Sequence, residues 1–221
     1  KLALEPEAAT RKLKGNPVHD EMDDCLKKFK DKQIFTIQAV LNRNRNLYSV
    51  SAGDIRLAFS DAVTRATEVF CVKIRERTDV VVTVAPYPMD IDLYQSQKAL
   101  ENAKTAVKQD GIIILVSSCR KGIGPETFYQ LMSSCDTPGQ VMNKLKSGYK
   151  LGYHKAAKMI ETGMLARVKA FTDLPDEQLR PIFIEPCDSL QSAIDQAIHD
   201  CGLESTVCFL PEGSITVLIV G

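Results

Sequence analysis

The sequence has no surplus of charge of either sign: 28 lysines and arginines balance 28 aspartates and glutamates over 221 residues. No net field steers such a chain toward nucleic acid or a membrane surface, and neither is expected as a partner. No apolar run is long enough to span a bilayer, and no signal peptide opens the chain. The seven cysteines contain no CxxC pair and no Cys/His cluster with zinc spacing. They read as small buried thiols of a reducing compartment, so a cytoplasmic protein is expected. Histidines are also few. His19 and His199 lie on charged helices and read as surface, and with His154 they make no metal site. No acid/base pair, repeat or low-complexity tract is visible. A starting methionine is lacking too: Lys1 opens the chain and the strand-like SITVLIVG closes it, as in a segment of a longer protein.

What is present is the profile of a globular α/β protein, 44% hydrophobic and 25% charged. Asn16 and Pro17 open a helix that runs through DEMDDCLKKFK. Residues 33–42 and 47–53 are strands around the polar turn NRNRN, and Asp54 caps an amphipathic helix. A charged break, IRERTD (74–79), marks a boundary, with domains expected at 1–77 and 78–221. Beyond it, strands alternate with helices. VVVTVA (80–85) and GIIILVSSC (111–119) are continuous apolar runs, the mark of strands covered on both faces. The first helix between them is expected to end at Asp110-Gly111. Further helices are predicted at 126–134, 138–146, 153–161 and 189–202, and strands at 166–171, 181–185, 207–211 and 215–220. The fold class is α/β, a three-layer sandwich with a largely parallel sheet, preceded by the tail of another α/β domain.

Three stretches carry chemistry. In DIDLYQSQKAL (90–100), Leu93, Leu100, Ala103 and Val107 form an apolar stripe, with Gln95 and Lys98 opposite and Tyr94 on the flank. A lysine in the opening turns is unfavourable unless something offsets the positive helix start. This helix follows a strand's carboxyl end, where open α/β sheets bind ligands. An amide and an ammonium three residues apart there suit a carboxylate or phosphate, with help from the helix N-terminus. An ordinary solvated helix face is the competing reading. In SSCRKGIGPETF (117–128), Gly122 and Gly124 let backbone N–H groups approach an anion beside Arg120 and Lys121. The run lacks a dinucleotide fingerprint, and a plain strand-to-helix loop fits it as well. Cys119 has no His or acid near it in sequence to make it a nucleophile. In LGYHKAAK (151–158), His154 and Lys155 open a helix where an anion or a proton could be handled.

Together these stretches resemble, in order and spacing, the carboxy-terminal half of the nickel-dependent lactate racemase family. DIDLYQSQKALENA is similar to its proline–aspartate–leucine–tyrosine–glutamine–x–x–lysine helix, IIILVSSCRKGIGPETF to the strand and glycine turn after it, and LGYHKAAKM to its glycine–histidine–lysine–alanine helix. CFLPEGSITVLIV resembles the closing strands; GNPVHDEM, QAVLN and SAGD resemble the tail of the amino-terminal domain. The resemblance implies a two-domain racemase or epimerase of 2-hydroxy acids with a nickel-pincer nucleotide cofactor. The cofactor takes a hydride from the substrate α-carbon, a histidine takes the hydroxyl proton, and the planar keto acid is reduced on its other face. By carry-over, Gln95 and Lys98 orient the substrate carboxylate or cofactor oxygens and Tyr94 walls the site. The catalytic histidines, the cofactor-bearing lysine and the nickel ligand belong to the upstream domain. No catalytic or metal-binding residue is therefore expected within this segment, which is expected to be inactive alone and to have its upstream domain and a small 2-hydroxy acid as partners. Departures stand at Ala85-Pro86-Tyr87, at Tyr153, and in the absence of a tryptophan, which leaves the hydroxy acid open. A non-catalytic domain binding a small anion or a partner through the same helix face is the alternative.

Overall fold

In a computed structural model, which describes residues 2–148 and 150–221, the chain forms two compact units divided between Cys71 and Val72. In the first unit, Asn16 accepts a hydrogen bond from the Val18 N–H and opens helix α1 (Pro17–Lys27). Strands β1 (Phe35–Leu41) and β2 (Leu47–Asp54) pair antiparallel. Their turn is closed by Asn42, whose side-chain oxygen accepts from the Asn44 and Asn46 amides, each at 2.9 Å. Asp54 accepts from the Arg56 and Leu57 amides and starts helix α2 (Ile55–Phe70). Ser51 donates to Asp61 at 2.5 Å, so α2 lies on the sheet face that holds Val40 and Ser51.

Strand β3 (Cys71–Ile74) begins at the division and, in the second unit, leads into β4 (Thr78–Val84), helix α3 (Leu93–Ala103) and β5 (Val107–Val116). Three helices follow: α4 (Glu126–Ser133), α5 (Pro138–Ser147) and α6 (Tyr153–Leu165). Then come β6 (Arg167–Phe171), the short α7 (Asp176–Leu179), β7 (Glu185–Pro186), α8 (Leu190–Cys201), β8 (Val207–Leu210) and β9 (Val217–Val220). Five strands form one sheet in the order β7-β6-β5-β4-β8, every adjacent pair parallel. Val80, Val82, Ile112 and Ile114 pack against Ala193 and Ala197 of α8 on one face. Val81, Ile113, Leu115 and Val168 are buried on the other, where α3 and α6 meet the sheet. Both faces are covered, which is why β4 and β5 read as unbroken apolar runs.

Several boundaries differ from expectation for physical reasons. The contact boundary falls after Cys71 rather than after residue 77 because β3 pairs with β9. Helix α3 ends at Ala103, and Val107 belongs to β5 rather than to the helix stripe. Gly111 is therefore no helix stop. A Cβ there would stand 2.6 Å from the Asp79 carbonyl oxygen, where β5 slips register against β4 between Thr78 and Val80. Residues 181–185 do not form the expected strand: Arg180–Ile182 is a 3₁₀ turn, Phe183 has φ 64°, and pairing is confined to Glu185–Pro186. Its isoleucines, Ile182 and Ile184, are buried as a core plug instead. The seven thiols are all free. Cys119 and Cys135 are buried, Cys25 is exposed and the other four are half-buried, so burial is less general than expected.

Candidate functional site

The three chemistry-bearing stretches meet around the start of α3. Asp92 begins the helix: its carboxylate accepts from the Gln95 amide at 2.7 Å, and its carbonyl accepts from the Ser96 amide at 3.0 Å. The Leu93 and Tyr94 amides donate to the carbonyls of Gly122 and Ile123, at 3.1 and 3.0 Å. All four opening N–H groups are thus occupied. The expected help from the helix N-terminus is absent, because the cap carboxylate and the glycine turn have taken it. That carboxylate also answers the positive helix start near Lys98.

The glycine turn has a role different from the expected one. Gly122 offers its carbonyl to α3, and its own amide donates to the Cys119 carbonyl at 2.8 Å. Gly124 has φ 108°, and a Cβ on it would stand 2.6 Å from the Tyr94 Cβ. The glycines let the turn run alongside residues 90–94, fixing Tyr94, rather than cradling an anion. Arg120 is held by Asp90 at 2.9 Å and lies over the Tyr87 ring at 5.1 Å, so its charge is already matched. Cys119 is buried against Ser117 and Ser96, and burial pushes its thiol above the ordinary range. It is not primed as a nucleophile.

On α3 itself the buried stripe is Leu93, Ser96, Gln97, Ala99, Leu100 and Ala103. Tyr94 and Gln95 are half-buried and Lys98 is exposed. The Lys98 ammonium rests 3.5 Å from the Met89 thioether, a weak acceptor. Gln95 makes no side-chain hydrogen bond to another described residue. The Tyr94 ring packs edge-on against Phe128 of α4 at 5.5 Å. Helix α6, opened by Gly152 at φ 99°, crosses beside α3 and brings Lys155 to Tyr94 and Gln97. Lys155 Nζ donates to Gln97 Oε1 at 3.0 Å and stands 5.5 Å above the Tyr94 ring. Burial, then the charge of Lys98, depress the Lys155 ammonium; Glu101 and Asp92 act the other way. His154 is depressed by burial and then by Lys155. Tyr94, Gln95, Lys98 and Lys155 are therefore neighbours on the α3/α6 side. Gly122 and Gly124 stand behind them as support.

Sequence reading missed Ser96 and Gln97. Their signal was position: both fall on the stripe of Leu93 and Leu100, where a polar residue must find a partner. Ser96 found it in Ser117, at 2.7 Å across the end of β5. A cavity of about 240 Å³ lies at the carboxyl ends of β4, β5 and β6, walled by Val84, Asp90, Ser117 and Asp173 among others. Tyr94, Gln95 and Lys98 do not line it. No helix among the described residues is long and apolar enough to cross a membrane, and no group of three metal-ligating side chains occurs among them.

Comparison with known proteins bears on this arrangement. Residues 73–219 match the family described as the lactate racemase C-terminal domain. Two curated relatives are lactate racemases. That of Thermoanaerobacterium thermosaccharolyticum is 26% identical over 97% of this chain and 51% of its own length. That of Lactiplantibacillus plantarum is 26% identical over 94% of this chain and 50% of its own. The chain thus spans about half the length of the curated relatives it matches. The solved lactate racemase apoprotein from T. thermosaccharolyticum superposes with a TM-score of 0.90 at 26% identity, over 99% of this chain and 55% of that one. A Thermotoga maritima protein of 14% identity shares the fold, with a TM-score of 0.65 over 93% of this chain and 54% of its own.

Proposed function

This chain belongs to the lactate racemase C-terminal domain family, and from that premise we propose that it supplies one wall of a site that racemises or epimerises a small 2-hydroxy acid. The observation that carries the reading is the polar side of α3. It offers an ammonium (Lys98), a carboxamide (Gln95) and a phenol (Tyr94), and the Lys98 ammonium meets only the Met89 thioether, with no carboxylate in ion-pair distance among the described residues. This donor set suits carboxylate or phosphate oxygens and contains no metal ligand. It therefore fits the anionic parts of the substrate and of a nickel-pincer nucleotide, not the nickel. When bound, that cofactor supplies the acceptor and donor of a hydride.

Inverting a carbon centre requires that both faces of the planar keto acid be reached while the molecule stays in place. A carboxylate held by the Lys98 ammonium and the Gln95 amide is such a fixed point, because a charge-assisted bond resists rotation more than a neutral one. Tyr94, braced by Phe128 and Gly124, forms a rigid wall that keeps water from the held group. The family's catalytic histidines, cofactor-bearing lysine and nickel ligand belong on the half of the relatives' length that this chain does not span. The first unit, through residue 71, is read as the tail of that upstream domain, the partner of this segment. Alone, the 221-residue chain is inactive.

The test is the full-length protein, loaded with cofactor, on a panel of chiral 2-hydroxy acids. Loss of optical rotation for at least one is expected. A loaded protein that leaves the whole panel untouched overturns the reading in favour of a non-catalytic anion- or partner-binding domain.

A further inference from the structure

Lys155 is an uncomfortable residue. Its ammonium is partly withdrawn from water and rests on Gln97 and Tyr94, residues of the same helix as Lys98, yet neither lysine lies within ion-pair distance of a carboxylate among the described residues. The acidic groups nearby are engaged elsewhere. Glu101 holds Lys104 at 3.1 Å, and Asp92 caps the Gln95 amide at 2.7 Å. What keeps Lys155 in place is neutral: the Gln97 carbonyl at 3.0 Å and the Tyr94 ring face at 5.5 Å. A long flexible lysine with water in reach ordinarily extends into it. Here a 2% exposed glutamine, on the stripe that should be apolar, holds the ammonium against the ring instead.

Gln97 carries a second mark. With its oxygen on Lys155, its amide nitrogen is buried and has no hydrogen-bond partner among the described residues. The opposite amide orientation would set N–H against N–H and is excluded by the lysine itself. The Lys155 ammonium and the spare Gln97 amide thus meet beside Tyr94, four residues before Lys98 on the same helix, with no carboxylate to match the two lysines among the described residues. A buried donor left unmatched in this way calls for an explanation.

We propose that Lys155 is a binding residue of the α3 site, set by Gln97 as its positioning residue, and that with Lys98 it seats a two-oxygen oxyanion, one ammonium to each oxygen. This rests on the reading of the α3 face as the anion wall and adds the residue that fixes the orientation of the anion. One ammonium alone lets a carboxylate swivel; two, each on its own helix, hold its plane. Carboxylates and phosphates share this chemistry, so the source of the oxyanion is settled by the probe that binds.

The experiment titrates the 221-residue chain with lactate and, separately, with inorganic phosphate, following the lysine Cε resonances by NMR. Lys98 and Lys155 are expected to shift together and to saturate at one Kd. Lys155→Met is expected to weaken binding roughly tenfold or more, the scale of one hydrogen bond to a charged group. Lys155→Arg should recover part of the loss. Gln97→Glu keeps the bond to Lys155 but neutralises it, so it should weaken the anion while Tm stays at or above that of the parent. Saturation by lactate assigns the seat to the substrate carboxylate, and saturation by phosphate to a phosphate group. If Lys98 shifts while Lys155 stays still, or Lys155→Met binds as the parent does, the inference fails and the racemase reading stands. If neither lysine responds to either anion, the inference fails, while the racemase reading is decided separately by the full-length protein on the hydroxy-acid panel.

Discussion

Ile113 at the centre of β5 and Ile37 in β1 are the same residue in the same kind of element, yet Ile113 is completely buried and Ile37 is 68% exposed. The difference lies in what covers each sheet. The five-stranded sheet has α3 and α6 on one face and α8 on the other. The β1–β2 hairpin has α2 on one face, and that face carries Thr36, Gln38, Ser49 and Ser51 beside Val40. Its other face, with Phe35, Ile37, Leu41 and Val50, is apolar and exposed. Alternation in β1 and β2 is as regular as in any half-buried strand, but the apolar half points away from the helix. A two-stranded hairpin needs further strands or a packed helix to be stable, and α2 supplies the helix on one face only. On the proposed reading, the relatives' remaining half covers the other.

The same substitution in the two sheets measures this contrast. Ile113→Ala removes a fully enclosed side chain and is expected to cost about 2–5 kcal/mol in urea denaturation of the second unit. Ile37→Ala is expected to change the stability of the 221-residue chain by less than about 0.5 kcal/mol, and to raise its solubility by shrinking an exposed patch. In the full-length protein, Ile37→Ala should become as costly as a core truncation. If it stays neutral there, the apolar face is not covered by the part that corresponds to the relatives' remaining half. If Ile113→Ala is neutral, the account of the covered sheet is wrong.

Much of the second unit was legible because its signals are local. The apolar continuity of β4 and β5 announces their double coverage. Legibility failed where tertiary contact overrode a local cue. Gly111 looked like a helix stop, but its lack of a side chain serves the carbonyl of Asp79, on the strand beside it. PIFIE looked like a strand, but Pro181 and a left-handed Phe183 turn it into a plug.

At the site, the residue types of Tyr94, Gln95 and Lys98 were readable from the helix wheel and from family resemblance. The roles of the glycine turn were not. Nothing in RKGIGPE says that Gly122 gives a carbonyl rather than an amide, or that Gly124 exists to admit Tyr94. Gln97 escaped notice because a glutamine on a helix reads as solvent-facing until a neighbour from 58 residues away reaches it. Lys155 lies on another helix, and no periodicity joins the two.

The central claim is that an oxyanion, rather than solvent, meets the polar side of α3. It is tested most directly by Lys98→Ala in the cofactor-loaded, full-length protein, assayed against the hydroxy acid that the parent racemises. The account predicts a fall in kcat/KM of about a hundredfold or more, the scale expected for losing a charge-assisted contact to the reacting molecule, with cofactor content and Tm unchanged. A variant that racemises at the parent's rate would show that Lys98 faces water, and the claim would be contradicted.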